Sequence, residues 1–515
     1  MLIVPVAGVV LAYALSRVPL PGRYPATMLF IVSFAVTLPF WREPEVIVDS
    51  SRYFTQAKHL EVYGIGYFLR EWGKAIPAWT DMPAVPFLYG LILKLSGETR
   101  AYIQMFTSSL FALTIMLTYR IGKTLWSREL GFYAGVSLLA MPYLYTQAPL
   151  MLVDVPTTFM FTLSVYTFIM ALKHGRSWIP AASAALFIAF FSKYSTWLML
   201  SGLGVIFLVY SIRKPEAGGR KRDSGRKAAS RGLVTAFIAS LLIGFVVWHK
   251  FDVFSEQIRF LMAYQKPGLR RWGESFVSTF LFQVHPFITI AAAYSLYAAF
   301  KKRDLSYLII IWPVLLLFLL QIKRIRYSMP VFPMLALMAS YGLCAIRNRE
   351  AGKSAALCAM AFSLVLATFA YSPFLHKTSS VNIKHAGEYL NALDIRKCEV
   401  FVLPPEDPVL NAAVSVPLLD IFTDKDIRYE YTPLPRPPRE EVEKSPLRFT
   451  WEYRNPAYYG PEAGGTGKTA VVVISGKPGK ELPDPVRERI EGLAKKEFSV
   501  NDEIFIDQTL VTVYY

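Results

Sequence analysis

The first 372 residues alternate apolar stretches with short polar loops. A helix needs about 20 apolar residues to cross roughly 30 Å of hydrocarbon, and several of these stretches approach or reach that length. The first stretch lacks the basic flank and small-residue cleavage site of a secretory signal, which favours a retained helix. The pattern predicts about twelve membrane-spanning helices, some of them short, at residues 1–16, 26–41, 101–119, 131–148, 152–172, 178–192, 195–212, 233–249, 284–300, 306–321, 328–346 and 354–371.

Beyond residue 372 the apolar runs become short and strand-like, as at Val400–Leu403, Ala470–Ile474 and Ile504–Ile506. Residues 484–496 carry many charges and are typical of an exposed helix. The change of pattern predicts two domains, a transmembrane domain over residues 1–372 and a small soluble α/β domain over residues 373–515. The expected fold class is therefore a mainly α polytopic membrane protein with a small C-terminal α/β domain.

The net charge of +17 belongs to the membrane part, because 18 basic and 22 acidic residues lie beyond position 372. Basic residues in short loops mark the cytoplasmic side of a membrane, so this excess needs no nucleic-acid partner. The strongest marker is the basic stretch 213–231, which we interpret as a cytoplasmic linker. The loop of Asp49 and the C-terminal domain then face outward.

The first outer loop, residues 42–97, mixes aromatic and charged side chains in a way typical of helices that lie in the bilayer interface. Residues 83–97 are apolar but short and interrupted by prolines. A full span there would reverse the side of every later loop. We therefore interpret residues 83–97 as a membrane-surface or re-entrant helix.

Four ionisable residues lie at outward ends of the predicted spans: Asp49, Asp154, Lys193 and Arg326. Charges at such positions are costly and are functional candidates by default. A carboxylate can accept the proton of an attacking hydroxyl, while Lys and Arg stabilise charge on a departing phosphate. Each residue also has a structural interpretation, since aspartates cap helices and lysines reach from apolar surfaces toward water.

The order of these features resembles the membrane-embedded glycosyltransferases of the protein O-mannosyltransferase and lipid A aminoarabinose transferase group, which share the C-type glycosyltransferase fold. The resemblance covers roughly residues 25–345, and residues in several short motifs carry it. They are Asp49-Ser-Ser-Arg-Tyr53 (usually Asp-Glu-x-Arg-Tyr in the group), Asp81-Met-Pro-Ala-Val-Pro86, Leu152-Val-Asp-Val-Pro156 and, more weakly, Ser192-Lys193 and Arg326-Tyr-Ser-Met-Pro330-Val-Phe-Pro333.

The resemblance implies an inverting transfer of a monosaccharide from a dolichyl- or undecaprenyl-phosphate donor to a protein, glycan or lipid acceptor on the outer face. Asp49 would be the general base, and Asp154 would be the second acidic residue of the catalytic site. Lys193, Arg326 and Tyr327 would contact the donor phosphate. The positive-inside bias and the lone external cysteine favour a prokaryotic cell membrane.

Weaker substrate-binding candidates surround these positions: Arg52, Tyr53, Trp79, Asp81, Arg270 and His285. Two residues depart from the pattern of the group, because Ser50 replaces the usual Glu and Met82 stands where relatives often have a basic residue. No cofactor and no metal are predicted, although oxygen ligands from Glu43, Glu45 and the two aspartates would suit a divalent ion. The three cysteines form no metal-binding motif.

A second interpretation is a transporter or flippase of lipid-linked sugars, in which the same charges would line a translocation path. Such proteins tend to have repeated halves with polar residues near the middle of the membrane. The sequence has no convincing internal repeat, and its key charges lie at span ends. The pattern therefore favours the enzyme.

Overall fold

The computed structural model is mainly helical, with one small sheet near the C terminus. It describes a few isolated positions near the N terminus and between 430 and 448, and otherwise residues 23–45, 48–212, 221–265, 275–378, 380–403, 411–430, 448–460, 468–476, 481–499 and 509–515.

The helices of the membrane part follow one another with short connections. In chain order they are α1 (Pro25–Thr37), α2 (Asp49–Tyr63), α3 (Ile65–Glu71), α4 (Ala84–Ser96), α5 (Arg100–Leu125), α6 (Arg128–Leu139), α7 (Pro142–Gln147), α8 (Asp154–His174), α9 (Trp178–Phe190), α10 (Ser195–Met199), α11 (Ser201–Ile212), α12 (Lys221–His249), α13 (Phe251–Phe260), α14 (Pro286–Lys302), α15 (Tyr307–Leu319), α16 (Ile325–Ser328), α17 (Phe332–Ala345), α18 (Arg349–Leu366) and α19 (Ser372–Thr378).

Seven described helical segments are long and apolar enough to cross a membrane, so the protein is an integral membrane protein. They are Pro25–Arg42, Arg100–Leu125, Asp154–His174, Ser195–Ile212, Gly225–His249, Ile325–Ala345 and Arg349–His376. The other predicted spans within the described residues coincide with the shorter helices α6, α7, α9, α14 and α15. The stretch 1–16 lies largely outside the described residues.

Close helix packing in the bundle depends on small residues. A Cβ atom on Gly342 of α17 would lie 2.1 Å from the carbonyl oxygen of Ala291 on α14. A Cβ atom on Gly131 of α6 would lie 2.4 Å from the carbonyl oxygen of Tyr119 on α5. Small residues let helices approach closely within a membrane, where packing replaces the hydrophobic effect as the driving force.

The predicted first outer loop consists mainly of α2, α3 and α4. Helix α4 spans 13 residues, or roughly 20 Å, which is too short to cross the hydrocarbon core. It packs on α2 where Gly90 faces the Ala57 carbonyl oxygen, and the Tyr89 hydroxyl donates to the Leu152 carbonyl oxygen at 2.6 Å. This hydrogen bond therefore connects the outer loop to the segment just before α8.

One prediction about the loops is wrong in part. Helix α12 begins at Lys221, so residues 221–231 are helical rather than part of a linker. Arg231 on this helix donates to the carbonyl oxygens of Leu172 and Lys173 at the end of α8. The basic residues 221–231 therefore form the first part of the same helix that continues as the apolar span 233–249. Residues 213–220 lie outside the described residues.

The C-terminal domain is a mixed five-stranded sheet with the order β2-β1-β3-β5-β4. Its strands are β1 (Lys397–Val402), β2 (Asp426–Tyr429), β3 (Thr469–Ser475), β4 (Lys495–Ser499) and β5 (Leu510–Tyr514), and its helices are α20 (Val381–Ala392), α21 (Ser415–Phe422) and α22 (Asp484–Ile490).

The sheet pairs β1 in parallel with β2 and β3, whereas β5 runs antiparallel to β3 and β4. The predicted strands 400–403 and 470–474 coincide largely with β1 and β3. The predicted helix 484–496 is wrong in its second half, because it ends at Ile490 and Lys495 begins β4. Lys495 and Lys496 of that half lie on an edge strand, where charged side chains are common. The stretch 504–506 lies outside the described residues.

The C-terminal domain packs directly on α2. Phe54 and Ala57 of α2 share one buried apolar cluster with Val416 and Leu419 of α21. Beside this cluster, Lys58 Nζ lies 2.8 Å from Asp420 Oδ2. The helix that begins with Asp49 is therefore held between the membrane part and the C-terminal domain.

Candidate active site

Three distant segments bring two aspartates to one arginine. Asp49 is the first residue of α2, Asp154 is the first residue of α8, and Arg326 lies on α16. Arg326 Nη1 donates to Asp49 Oδ2 at 2.5 Å, while Nε and Nη2 donate to Asp154 Oδ2 at 2.9 and 2.8 Å. All three side chains are buried. The arginine thus joins the two carboxylates that the sequence singled out.

Lys193 completes this cluster from the turn between α9 and α10. Its Nζ donates to Asp154 Oδ1 at 2.6 Å and lies 4.5 Å from the centre of the Tyr327 ring. Asp154 therefore binds a cation with each oxygen and is 1% exposed. These contacts favour a role for Asp154 in holding the two cations side by side, and its predicted catalytic role stays a prediction.

A second arginine links Asp49 to the outer loop. Arg52 lies on α2, and its Nη2 is 3.4 Å from Asp49 Oδ1. The same guanidinium binds Asp81 with two contacts, Nε to Oδ2 at 2.7 Å and Nη2 to Oδ1 at 3.0 Å. The rings of Tyr53 and Trp79 lie 5.2 and 5.4 Å from the Arg52 carbon Cζ. The weaker candidates Arg52, Tyr53, Trp79 and Asp81 are thus adjacent to Asp49.

Two glutamines hold the loop that carries Asp81. Gln56 Nε2 donates to the Asp81 carboxylate at 3.2 Å and to the Pro77 carbonyl oxygen at 3.0 Å. Gln257 Nε2, from α13, donates to the Asp81 carbonyl oxygen at 2.7 Å. Sequence reasoning missed both glutamines. Gln56 follows Arg52 at one-turn spacing on α2, which was an available signal, whereas Gln257 offered none.

Burial and the neighbouring arginines shift the pKa values of Asp49 and Asp81 in opposite directions. Burial raises the pKa of Asp49, but Arg52 and Arg326 outweigh it and hold that pKa well below its ordinary value. Burial raises the pKa of Asp81 to about 6, because the opposing effect of Arg52 is incomplete and Asp49 adds to the rise. Asp49 is therefore ionised at neutral pH, and Asp81 titrates just below it.

The remaining predicted positions have other surroundings. His285 caps α14, where its Nδ1 accepts the Phe287 N–H at 3.2 Å and its ring contacts Phe362. These contacts are those of a structural helix cap and do not connect it to the cluster. Arg270 lies outside the described residues. The position Met82, where relatives often have a basic residue, is buried among Phe191 and Phe254.

The carboxylates considered as metal ligands are engaged by protein donors. Glu45 accepts from Ser50, Met151 and Arg100, and Glu43 accepts from Ser372. In the described part of the chain no three His, Cys, Asp or Glu side chains are grouped to hold a metal ion. The absence of a cofactor stays a prediction.

Comparison with known proteins points to membrane glycosyltransferases. Residues 80–218 match the family described as dolichyl-phosphate-mannose-protein mannosyltransferase. The matched segment is well under half of the chain. No curated protein sequence is significantly similar to the chain.

Among solved structures, ArnT from Cupriavidus metallidurans bound to undecaprenyl phosphate is similar with a TM-score of 0.58 and 12% identity, over 96% of this chain and 98% of ArnT. The apo state of ArnT gives a TM-score of 0.55 and 13% identity, over 95% and 98%. Archaeal AglB from Archaeoglobus fulgidus, in complex with an inhibitory peptide and a dolichol-phosphate, has a TM-score of only 0.45 at 10% identity, over 88% of this chain and 69% of AglB. The chain has the fold of ArnT, which confirms the predicted C-type glycosyltransferase fold.

We predict that Asp154→Asn destabilises the protein more than Asp49→Asn. In the described part of the chain, Asp154 is the only carboxylate within ion-pair distance of Lys193. Its removal leaves a buried ammonium without a counter-charge, which costs about 3–5 kcal/mol of unfolding free energy. Asp49→Asn leaves Arg326 its pair with Asp154 and costs less. Thermal unfolding in detergent measures both variants.

The matched control is the double variant Asp154→Asn with Lys193→Met, which removes both members of the pair. Much of the lost stability returns if the unpaired ammonium causes the loss. A double variant as unstable as the sum of the two single losses would contradict this explanation.

Proposed function

We propose that the protein is a glycosyltransferase that moves a monosaccharide from a polyprenyl-phosphate donor to a hydroxyl of a protein, glycan or lipid acceptor. The observation that carries the proposal is the ion cluster of Asp49, Arg326, Asp154 and Lys193. Its setting in the fold of ArnT, a protein solved with undecaprenyl phosphate bound, supports the choice of donor.

Asp49 is the proposed general base. Arg326 engages Oδ2 at 2.5 Å, whereas Oδ1 has the longer 3.4 Å contact with Arg52. Oδ1 is thus the oxygen better placed to accept a proton from an incoming hydroxyl. The lowered pKa of Asp49 keeps the carboxylate in the ionised form that a general base requires.

Lys193 and Arg326 are proposed to bind the donor phosphate, with Tyr327 beside them. An ammonium has three N–H groups and a guanidinium has five, so binding Asp154 and Asp49 leaves N–H groups on both cations for phosphate oxygens. Met82 supplies no such contact, because it lies in an apolar cluster. In this protein the phosphate depends on cations from α16 and from the turn before α10.

The reaction is proposed to be a single displacement with inversion. The acceptor oxygen bonds to the anomeric carbon as the bond from that carbon to the phosphate oxygen breaks. The acceptor proton passes to Asp49, and the polyprenyl phosphate leaves with the bonding electron pair and an added negative charge. Fixed cations at the site of the developing charge stabilise that transition state, and no redox step occurs.

The active site and the C-terminal domain are proposed to face the outside of a prokaryotic cell membrane. The support is the basic loops, which the positive-inside rule assigns to the cytoplasm. The C-terminal domain packs on α2, the helix that begins with the proposed base. That position supports a role in choosing the acceptor.

We predict that Asp49→Asn lowers the rate of sugar transfer about 100-fold or more, because general base catalysis typically contributes that much. The assay is transfer by purified protein in detergent from radiolabelled polyprenyl-phosphate sugars, with donor binding measured separately. Donor binding persists in the variant, since Lys193 and Arg326 keep Asp154. Glu61→Gln, further along α2, is the matched control and keeps the wild-type rate.

Two results would refute the proposed function. Donor binding without turnover in the wild-type protein, unchanged in Asp49→Asn, would favour a transporter of lipid-linked sugars. Turnover that is undiminished in Asp49→Asn would remove Asp49 from the chemistry.

We predict that sugar transfer slows as the pH falls through about 6, because Asp81 becomes protonated there and its ion pair with Arg52 weakens. Asp49 has a lowered pKa and stays ionised over this range. The measurement is kcat against pH for the wild type and for Asp81→Asn. The variant is slower throughout and lacks this acid limb. An identical acid limb in both proteins would show that another group titrates.

A further inference from the structure

We propose that the buried carboxylate of Glu45 and the guanidinium of Arg100 form a positioning pair that sets the relative placement of Asp49 and Asp154. This inference rests on the proposed function, since it concerns the geometry of that site. The sequence marks Glu45 only as an oxygen ligand that would suit a divalent ion, and it gives no signal for Arg100.

Glu45 ties together the chain segments that lead into both aspartates. Its Oε2 accepts the Ser50 hydroxyl at 2.9 Å, and Ser50 directly follows Asp49. Its two carboxylate oxygens accept the Met151 N–H at 3.3 and 3.2 Å, and Met151 lies one turn before Asp154. One carboxylate therefore binds the beginning of α2 and the loop that starts α8.

Arg100 provides the counter-charge for this carboxylate. Its Nε donates to Glu45 Oε1 at 3.2 Å, and its Nη1 and Nη2 donate to the carbonyl oxygens of Trp41 and Glu43 at 3.1 and 2.6 Å. The Glu45 side chain has no exposed surface. A buried carboxylate with this set of donors has a fixed position, because loss of any donor leaves charge or polar atoms unsatisfied.

The pair also contacts the C-terminal domain. The Ser380 hydroxyl and N–H donate to the Glu45 carbonyl oxygen at 2.8 and 3.3 Å, just before α20. The ring of Phe422, at the end of α21, lies 5.2 Å from the Arg100 carbon Cζ. The docking of the C-terminal domain is thus connected to the loop that places both aspartates.

Glu45 touches neither of the two aspartates, so it acts through the backbone it holds. A displacement of about 1 Å at a catalytic group can cost two orders of magnitude in rate. Removing the Glu45 charge should therefore lower turnover in protein that is still folded. A purely structural role would lower the amount of folded protein or its melting temperature and leave turnover per folded molecule unchanged.

The test compares Glu45→Gln with Glu43→Gln, a matched control on the same loop whose carboxylate binds Ser372 instead. The measurements are kcat and donor KM per folded molecule, with folded protein quantified by size-exclusion chromatography. For Glu45→Gln we expect kcat to fall about 10- to 100-fold with a donor KM close to that of the wild type. Glu43→Gln keeps the wild-type kcat.

Ser50→Ala is a second variant in case Glu45→Gln does not fold, since it removes one hydrogen bond and no charge. We expect a smaller loss of kcat, again with little change in KM. Wild-type kcat in folded Glu45→Gln, or in Ser50→Ala if Glu45→Gln does not fold, would overturn this inference while leaving the proposed function intact. Absence of transfer by the wild-type protein from every donor would instead refute the proposed function.

Discussion

The burial of Arg326 between Asp49 and Asp154 is the constraint on which the site depends. A guanidinium taken out of water at the edge of a membrane is stable only with compensating charges and good hydrogen-bond geometry. Arg326 obtains both, with three donor contacts between 2.5 and 2.9 Å. Helices α2, α8 and α16 must therefore meet at this point, although they are far apart in sequence.

This constraint fixes the site before any substrate arrives. Asp154 holds Lys193 and Arg326 together, and Arg326 in turn holds one oxygen of Asp49. Charges placed in advance need no reorganisation during the reaction, which is how buried polar sites lower activation barriers. The outer side of the cluster differs, because burial raises the pKa of Asp81 to about 6. The site thus combines an inner part of permanent ion pairs with an outer part that responds to pH.

The sequence was informative where a charged residue interrupts or ends an apolar stretch. Asp49, Asp154, Lys193 and Arg326 stood out because each interrupts or ends an apolar stretch, and the structure brings all four together. The resemblance to the C-type glycosyltransferases rested on the same positions, and the similarity to ArnT confirms the fold that it implied. Helical spans were predictable because length and hydropathy largely determine them.

Residues whose role depends on tertiary contacts were not predictable. Gln257 reaches Asp81 from a helix remote in sequence, and Arg100 meets Glu45 only because two loops fold together. The local sequence pattern also gave the wrong secondary structure for two charged stretches, because charged residues occur in linkers, exposed helices and edge strands alike. Residues 221–231 are basic and their composition predicts a linker, yet they extend a helix. The charged stretch 484–496 divides into a helix and an edge strand.

The central claim is that Asp49 and Arg326 act as one unit in sugar transfer. The most direct test is a double-mutant cycle on kcat with Asp49→Asn, Arg326→Lys and the double variant. Lysine keeps the positive charge but lacks the planar set of N–H donors with which arginine contacts both carboxylates. The account predicts strong non-additivity, with the double variant within about threefold of the slower single variant. Losses that multiply would contradict the account, because they would show that the two residues contribute independently.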